Sequence, residues 1–140
     1  MELVLKNQPE ELPRLRRALA DFAREHAAPE QAVQAADLAL EEHLTNVLAY
    51  AYTDKAAHDI RISLAIEGRC LQIEVADDGR PFNPLSHPAP DTSLPLDQRP
   101  RGGLGIHLIR QFMDELDYRR EADRNILRMR KRLERGAFSG

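Results

Sequence analysis

Hydrophobic and polar positions along the chain predict eight regular segments in the order β-α-α-β-β-loop-α-β-β. Residues 2–6 are predicted to form a short strand. Residues 9–26 are predicted to form a helix, because apolar residues recur there at helical spacing and a proline stands in the first turn. A second helix is predicted from Pro29 to about residue 52. The apolar stripes of these two helices comprise Leu12, Leu15, Leu19 and Phe22, then Val33, Leu40, Leu44, Val47, Leu48 and Ala51.

Four later segments alternate apolar and polar residues, which is typical of half-buried strands. The first two are predicted over residues 58–66 and 70–77, with Gly68-Arg69 as their hairpin turn. The last two are predicted over residues 117–122 and 125–133. In the last strand the apolar residues Leu127, Met129 and Leu133 point to one face of the sheet.

A proline-rich segment separates the two pairs of strands. Residues 79–101 hold six of the nine prolines of the chain. A loop of this length in a small domain is usually functional or mobile. A third helix is predicted to follow from about Gly103 to Leu116, with an inner face of Leu108, Ile109, Phe112, Met113 and Leu116.

These segments predict a single α+β domain over residues 1–140, in which about three helices cover one face of a mixed, mostly antiparallel sheet. A net charge of −3 and a hydrophobic fraction of 42% are ordinary for a soluble globular protein. No apolar run approaches the length of a membrane span, and the N-terminus lacks a signal-peptide pattern. The single cysteine, Cys70, fits a reducing compartment. We therefore expect a cytoplasmic protein with no membrane partner.

Two further chemistries are disfavoured by the distribution of charged residues. Basic residues concentrate near the C-terminus, but the chain is acidic overall and no aromatic residues interleave with them, so a solvated sheet face is favoured over nucleic-acid binding. His43, His58, His87 and His107 lie on different segments without ligand spacing, which argues against a metal centre built on them.

The second helix carries the first candidate constellation. Glu42 and Asn46 lie four residues apart and are predicted to share the face opposite the apolar stripe. Small residues flank them, which suggests that something packs closely over this face. A carboxylate and a carboxamide there could hold a hard cation through oxygen or position a hydroxyl group. An exposed glutamate beside an indifferent asparagine is the simpler interpretation, and Glu41 is interpreted as surface charge.

The second constellation is Asp77-Asp78-Gly79 at the end of a strand. Alternation places Asp77 on the inward face with Val75, where a carboxylate without a donor is costly. An exocyclic amine of a ligand such as adenine is one candidate donor. A turn-capping aspartate is the simpler interpretation, and the outward Asp78 fits that role better than Asp77.

The third constellation is Gly103-Leu104-Gly105, which leads into the third predicted helix. Glycines at a helix start let backbone N–H groups converge on an anion, most often a phosphate. A flexible turn would have the same sequence. The cluster is neither a Walker loop, since no Lys-Ser/Thr follows, nor a dinucleotide fingerprint, since a proline-rich loop precedes it.

Taken together and in this order, the three motifs resemble those of the Bergerat-fold (GHKL) ATPases, whose fold is a two-layer sandwich. Glu42 and Asn46 are similar to the N box, Asp77 and Gly79 to the first glycine box, and Gly103-Leu104-Gly105 to the second. Residues 79–102 would form the ATP lid. The resemblance covers about residues 30–133.

Within that family the chain most resembles the small serine kinases of the RsbW/SpoIIAB type, which are anti-sigma factors. The resemblance implies ATP and Mg²⁺ as cofactors, with Asn46 as the Mg²⁺ ligand and Glu42 as the general base. It implies that Asp77 binds the adenine amine and that Gly103, Leu104 and Gly105 contact phosphates. It also implies a homodimer whose partners are a sigma factor or equivalent target and a STAS-domain antagonist, which is phosphorylated on serine.

Three positions depart from the family pattern. Pro81 stands in place of the second glycine of the first box, Tyr50 stands where several relatives have histidine, and Arg124-Asn125 replaces a more usual Gly-Thr. No role is carried onto Asn125 for that reason. A non-catalytic ATP/ADP-binding module that sequesters a regulator stays open as an alternative, although such a module has no need of Glu42 as a base.

Overall fold

The computed structural model describes residues 1–86 and 109–133 of the chain. Within those ranges lie two long helices and five strands. The helices are α1 (Leu12–Glu25) and α2 (Glu30–Tyr50), and the strands are β1 (Glu2–Lys6), β2 (Asp59–Glu67), β3 (Cys70–Asp77), β4 (Glu115–Glu121) and β5 (Arg124–Arg132). The predicted elements and their order are thereby confirmed for the described residues.

The five strands form one sheet in the order β1-β2-β3-β5-β4. Every pairing in it is antiparallel, so the predicted mostly antiparallel sheet has no parallel pair among the described strands. Tight turns join β2 to β3 and β4 to β5. Gly68 has a φ of 58° in the first turn, and Ala122 and Asp123 have φ of 52° and 62° in the second. These are the left-handed conformations that two-residue hairpin turns require.

Both helices lie on one face of the sheet and share a core with it. The inward positions of β2 and β3 are fully buried, as their alternation predicts: Ile60, Ile62, Leu64, Leu71, Ile73 and Val75. From the helices, the predicted stripes contribute Leu15, Leu19, Phe22, Leu40, Leu44 and Val47. Each such side chain contributes about 1.5–3 kcal/mol on burial. The core therefore fixes the ends of α2 and β3 relative to each other.

The predicted start of the first helix at residue 9 is confirmed, whereas the predicted end of the third helix is wrong. The first helix begins with a 3-10 turn at Pro9–Glu11, and regular α1 begins at Leu12. The third helix was expected to reach Leu116, but helical geometry is present at residues 109–112 and β4 begins at Glu115. Leu116 pairs with Met129 across the sheet, so its apolar side chain satisfies a strand pattern that coincides with the helical stripe. Residues 103–108 lie outside the described ranges. No helix in residues 1–86 or 109–133 has the length and apolar character needed to cross a bilayer.

Candidate functional site

Asp77 ends β3 on the inward face of the sheet, as predicted, and is 2% exposed. Its Oδ1 accepts hydrogen bonds from the Gly79 backbone N–H and from Asn125 Nδ2, both over 3.0 Å. Burial raises the pKa of this carboxyl, whereas the bonds from Asn125 and Gly79 pull that pKa down. The turn after β3 is therefore closed by Asp77, and the expectation that Asp78 fits the capping role better is wrong.

Asn125 begins the inward pattern of β5 and pairs directly with Asp77 in the sheet register. It is 5% exposed, and its amide is fully engaged. Both hydrogens of Nδ2 are donated, one to Asp77 Oδ1 and the other to the Arg80 carbonyl over 2.8 Å. The oxygen accepts three bonds, from Phe82 N–H (3.1 Å), Tyr118 O–H (2.6 Å) and Arg120 Nη1 (3.1 Å).

Sequence reasoning left Asn125 without a role. The signal that identifies it is positional: it has the same parity as Leu127 and Met129, which were predicted to face inward. A polar side chain at an inward strand position needs partners. In an antiparallel sheet, the inward Asp77 at the end of a neighbouring strand is a natural partner.

The turn after Asp77 is packed tightly against the C-terminus of α2. The Arg80 backbone N–H donates to the Ala51 carbonyl over 2.8 Å, and Arg80 Nε donates to the Tyr50 carbonyl over 2.7 Å. These donors satisfy carbonyls that a helix end leaves without intrahelical partners. The rings of Tyr50 and Phe82 stack with centroids 6.4 Å apart. The proline-rich segment thus starts from a position fixed against α2.

Asn46 lies on α2 one turn before this contact and is 7% exposed. The prediction that it shares a face opposite the core is wrong. Asn46 follows the fully buried Ala39 by seven residues, which brings it to within about 20° of the same line along the helix. Its Nδ2 has no hydrogen-bond partner among the described residues. An amide held in this way has polar atoms to offer to a ligand.

Glu42 precedes Asn46 by one turn and is half-buried. Its neighbour Glu41 forms an ion pair with Arg16, with Nη2 and Oε2 2.7 Å apart, as its interpretation as surface charge predicts. Within residues 1–86 and 109–133, no ion pair engages Glu42. The two adjacent glutamates therefore have different surroundings, although their side chains are chemically identical.

His43 is a second buried polar residue on α2, 3% exposed, with no partner for Nδ1 among the described residues. Burial lowers its pKa to about 4. His43 is therefore a neutral imidazole at physiological pH. In the part of the chain that the structure describes, no three histidine, cysteine or acidic side chains are grouped as a metal site.

His58 links the α2–β2 connection to the turn after β3. Its Nε2 lies 2.8 Å from Asp54 Oδ1, and its Nδ1 lies 3.2 Å from Asp78 Oδ1. Tyr52 stacks on the imidazole with ring centroids 4.5 Å apart. The bonds to Asp54 and Asp78 raise the pKa of His58. A polar pocket of about 250 Å³ opens here and includes Asp77 but not Asn46.

Three of the arginines of β4 and β5 lie in a network of ion pairs on the outer face of the sheet. Arg119 and Arg128 contact Glu74, and Arg130 contacts Glu67 and Glu115. Acidic partners neutralise this face, which agrees with the predicted solvated face. Among residues 1–86 and 109–133, both signs of charge are therefore interspersed on this face.

Of the predicted site residues, Asp77 and Gly79 share one hydrogen-bonded turn, and Glu42 and Asn46 share α2. Gly103, Leu104 and Gly105 lie outside the described residues, as does most of the predicted lid. The meeting of all three constellations around one cleft therefore stays a prediction.

Comparisons with known proteins identify relatives of this domain. A family model described as the histidine kinase-like ATPase domain matches residues 5–131. The serine/threonine-protein kinase BtrW of Bordetella bronchiseptica is 31% identical over 83 residues, and the serine-protein kinase RsbW of Bacillus cereus is 32% identical over 94 residues. The alignments cover 59% and 64% of this chain but 58% of either relative, so the chain matches little more than half of each relative's length.

Solved structures agree with this fold. One is a structure of the RsbU and RsbW domains of a Mycobacterium tuberculosis protein. The superposition covers 95% of the present chain and 31% of the Mycobacterium tuberculosis chain, with a TM-score of 0.65 and 13% identity. A blue-light activated histidine kinase from Erythrobacter litoralis superposes on 87% of the chain and 59% of its own, with a TM-score of 0.57 and 22% identity. At these identities the likeness concerns the fold alone.

Proposed function

We propose that this chain, which belongs to the histidine kinase-like ATPase domain family, is an ATP-dependent serine-protein kinase and anti-sigma-type switch of a bacterial partner-switching pathway. The expected GHKL family and Bergerat-type fold are confirmed. The names of the relatives BtrW and RsbW support the kinase activity. The observation that carries the proposal is Asp77, a carboxylate that is 2% exposed at the inner edge of an ATPase-family domain.

Asp77 is proposed to bind the adenine amine. Its two hydrogen bonds within the described residues both end on Oδ1, which leaves Oδ2 to accept from a ligand. A buried carboxylate oxygen discriminates between bases, because it can accept a hydrogen bond from an exocyclic amine but not from a carbonyl. A base with a carbonyl in that place would leave both the carbonyl and the carboxylate oxygen without a hydrogen bond. Gly79 is proposed to line the same subsite, since the close packing of its turn brings backbone near to Asp77.

Asn46 is proposed to bind the magnesium ion that accompanies ATP. Its buried side-chain amide has no partner for Nδ2 among the described residues, and the oxygen of such an amide is a ligand type that Mg²⁺ accepts. The ion would neutralise negative charge that develops on the phosphates. The backbone N–H groups of Gly103, Leu104 and Gly105 are proposed to hold phosphate oxygens.

Glu42 is proposed as the general base. The serine oxygen of the partner forms a bond to the γ-phosphorus of ATP, the bond from that phosphorus to the β,γ-bridging oxygen breaks, and ADP leaves. The proton of the serine hydroxyl goes to the Glu42 carboxylate. Two observations support this role. Glu42 is half-buried one turn from Asn46, and the ion pair with Arg16 is formed by Glu41 and not by Glu42.

The proposed protein substrate is a STAS-domain antagonist, and the proposed regulated target is a sigma factor or an equivalent protein. A homodimer and a cytoplasmic location are part of the same proposal. Each rests on the resemblance to RsbW-type kinases. The kinase site would then double as a partner-binding surface whose occupancy depends on the bound nucleotide.

The test compares two adjacent glutamates. The full chain, Glu42→Gln and Glu41→Gln are incubated with radiolabelled ATP, Mg²⁺ and a STAS-domain protein encoded beside this chain, and labelled serine is measured. Removal of a general base lowers such rates by about 10²–10⁴-fold, so Glu42→Gln should lose transfer while keeping ADP binding. Glu41→Gln should transfer normally, because Glu41 contacts Arg16.

Two outcomes would contradict parts of the proposal. Transfer by Glu42→Gln at the rate of the unchanged chain would show that the base role is wrong. An unchanged chain that binds ADP but labels no serine would favour the alternative of a non-catalytic ATP/ADP-binding switch.

A further inference from the structure

We propose that Asn125 is a positioning residue for Asp77, which acts on the nucleotide site through that carboxylate without contacting the nucleotide itself. This inference rests on the proposed function, because it concerns the base-binding subsite. It assigns a role to a position at which the chain departs from the Gly-Thr of the family pattern.

The hydrogen-bond inventory of the side chain carries the first step. A carboxamide has two donor hydrogens, and both are taken, by Asp77 Oδ1 and by the Arg80 carbonyl. Its oxygen already accepts from Phe82, Tyr118 and Arg120. With Asn125 buried and every polar position engaged, a ligand would have to break an existing bond in order to reach it.

The second step concerns the direction in which the amide acts. Asp77 and Asn125 are register partners in β3 and β5, so the sheet holds their backbones at a fixed separation. The donor at 3.0 Å from Oδ1 therefore fixes the rotation of the carboxylate and directs Oδ2 away from β5. A carboxylate that is already oriented loses less conformational entropy when the ligand binds, so its hydrogen bond contributes more to affinity.

The third step is that the same amide also fixes the turn beside the carboxylate. Asn125 donates to the Arg80 carbonyl and accepts from the Phe82 N–H, so it bonds to the backbone on both sides of Pro81. Arg120 adds a bond to the Gly79 carbonyl over 2.8 Å. One side chain thus links the base-recognising carboxylate to the first residues of the proline-rich segment.

Two substitutions at this position should have opposite pH dependences. Asn125→Ala removes the donor, so the pKa of Asp77 should rise and ADP affinity relative to the unchanged chain should fall further as the pH is lowered.

Asn125→Asp keeps the acceptor for Tyr118, Arg120 and Phe82 but places a second carboxylate against Asp77. Two such carboxylates share one proton. The ADP affinity of Asn125→Asp, relative to the unchanged chain, should therefore recover as the pH is lowered. The shared proton then restores a hydrogen bond between residue 125 and Asp77.

The matched control is Tyr118→Phe. It removes one donor to the Asn125 oxygen and leaves the bond from Nδ2 to Asp77 in place. Its ADP affinity, divided by that of the unchanged chain, should therefore be independent of pH. Protonation of the ADP phosphates affects all four proteins alike and cancels in these ratios.

The experiment measures ADP binding by calorimetry from about pH 5 to pH 8 and, without nucleotide, titrates the side-chain carboxyl ¹³C signal of Asp77 by NMR. The expected loss of affinity at the unfavourable end of each profile is about tenfold or more, the usual effect of a hydrogen bond to a charged group. An equal loss at every pH in both Asn125 variants would overturn the inference, since a purely structural role predicts that result.

The carboxyl titration separates this inference from the proposed function. If the unchanged chain binds no ADP, nucleotide binding at this site is wrong, yet the titration still shows whether Asn125 controls Asp77. If ADP binds and the Asp77 titration is the same in all four proteins, the positioning role is wrong while the nucleotide site stands. If Asn125→Ala does not fold, the shape-conserving Asn125→Asp provides the same test.

Discussion

A Cβ atom on Gly79 would lie 2.5 Å from the carbonyl oxygen of Ala51 and 2.6 Å from its Cβ. This contact joins the turn after β3 to the C-terminus of α2, and only a residue without a side chain permits it. It is the point at which the strand of Asp77 and the helix of Asn46 and Glu42 are fixed against each other. The backbone bond from Arg80 to Ala51, at 2.8 Å, depends on the same close approach.

Substitution Gly79→Ala should therefore separate the turn from α2. We expect a loss of about 1–3 kcal/mol in the free energy of unfolding, the usual cost of forcing a methyl group into a packed site. ADP affinity should fall as well, because Asp77 moves with the turn. Urea denaturation and calorimetry measure the two effects.

The control is Gly68→Ala in the hairpin between β2 and β3. Nothing lies within 4 Å of a Cβ there, and the cost comes from a φ of 58°. That strain is worth about 1 kcal/mol, and ADP affinity should be unchanged. Equal effects of the two substitutions on ADP binding would contradict the importance of the Gly79–Ala51 contact.

Asp77→Asn should change the stability of the protein by an amount that depends on pH. The folded pKa of Asp77 is raised mainly by burial, so the ionised carboxylate costs stability once the pH exceeds the unfolded pKa. The neutral amide avoids that cost while still accepting from Gly79 N–H. We expect the variant to gain stability relative to the unchanged chain as the pH rises from acid to neutral. Thermal denaturation across this range measures the difference, and a constant difference would contradict the raised pKa.

His43 should destabilise the fold as the pH falls. Its folded pKa is about 4 and its ordinary value 6.5, so between these values the unfolded chain binds a proton that the folded chain does not. Stability then rises with pH across this window, by about 3 kcal/mol for a shift of this size at 1.36 kcal/mol per unit. An NMR titration should show the imidazole neutral down to about pH 4–5. The pH dependence of unfolding should flatten in His43→Gln.

His58 should behave in the opposite way. Bonds to Asp54 and then to Asp78 raise its folded pKa above the ordinary value. A raised pKa stabilises the fold fully below the unfolded pKa, and that stabilisation is lost as the pH rises through the folded value. In the same NMR titration the His58 imidazole should keep its proton to a higher pH than His43. A His58 midpoint below the ordinary histidine value would contradict the contacts with the two aspartates.

The strand pattern predicted more of this site than the helix pattern did. Alternation along β3 located Asp77 on the inward face, because the pleat of a strand leaves only two possible orientations. The same reasoning would have located Asn125, but its unusual sequence context left it without a role. Which donors meet Asp77 depends on the pairing of β3 with β5, in which Asp77 and its register partner Asn125 are 48 residues apart in the sequence.

The helix pattern failed at Asn46 for a physical reason. The buried face of α2 is wider than its stripe of large apolar residues, because the small Ala35 and Ala39 are also buried. The small residues around Asn46 did suggest close packing over this face, but alanines alone could not show that the face continues the buried surface of α2. Likewise, Leu116 fits both a helical stripe and a strand, and only its pairing with Met129 decides between them.

The most direct measurement is calorimetric titration of the full chain with ADP and with GDP in the presence of Mg²⁺, repeated with Asp77→Asn. Binding of ADP at one site per chain, with GDP at least about tenfold weaker and ADP affinity lowered by a similar factor in the variant, is the predicted result. Absence of ADP binding, or equal affinities for ADP in the variant and the unchanged chain, would contradict the proposal that Asp77 reads the nucleotide base.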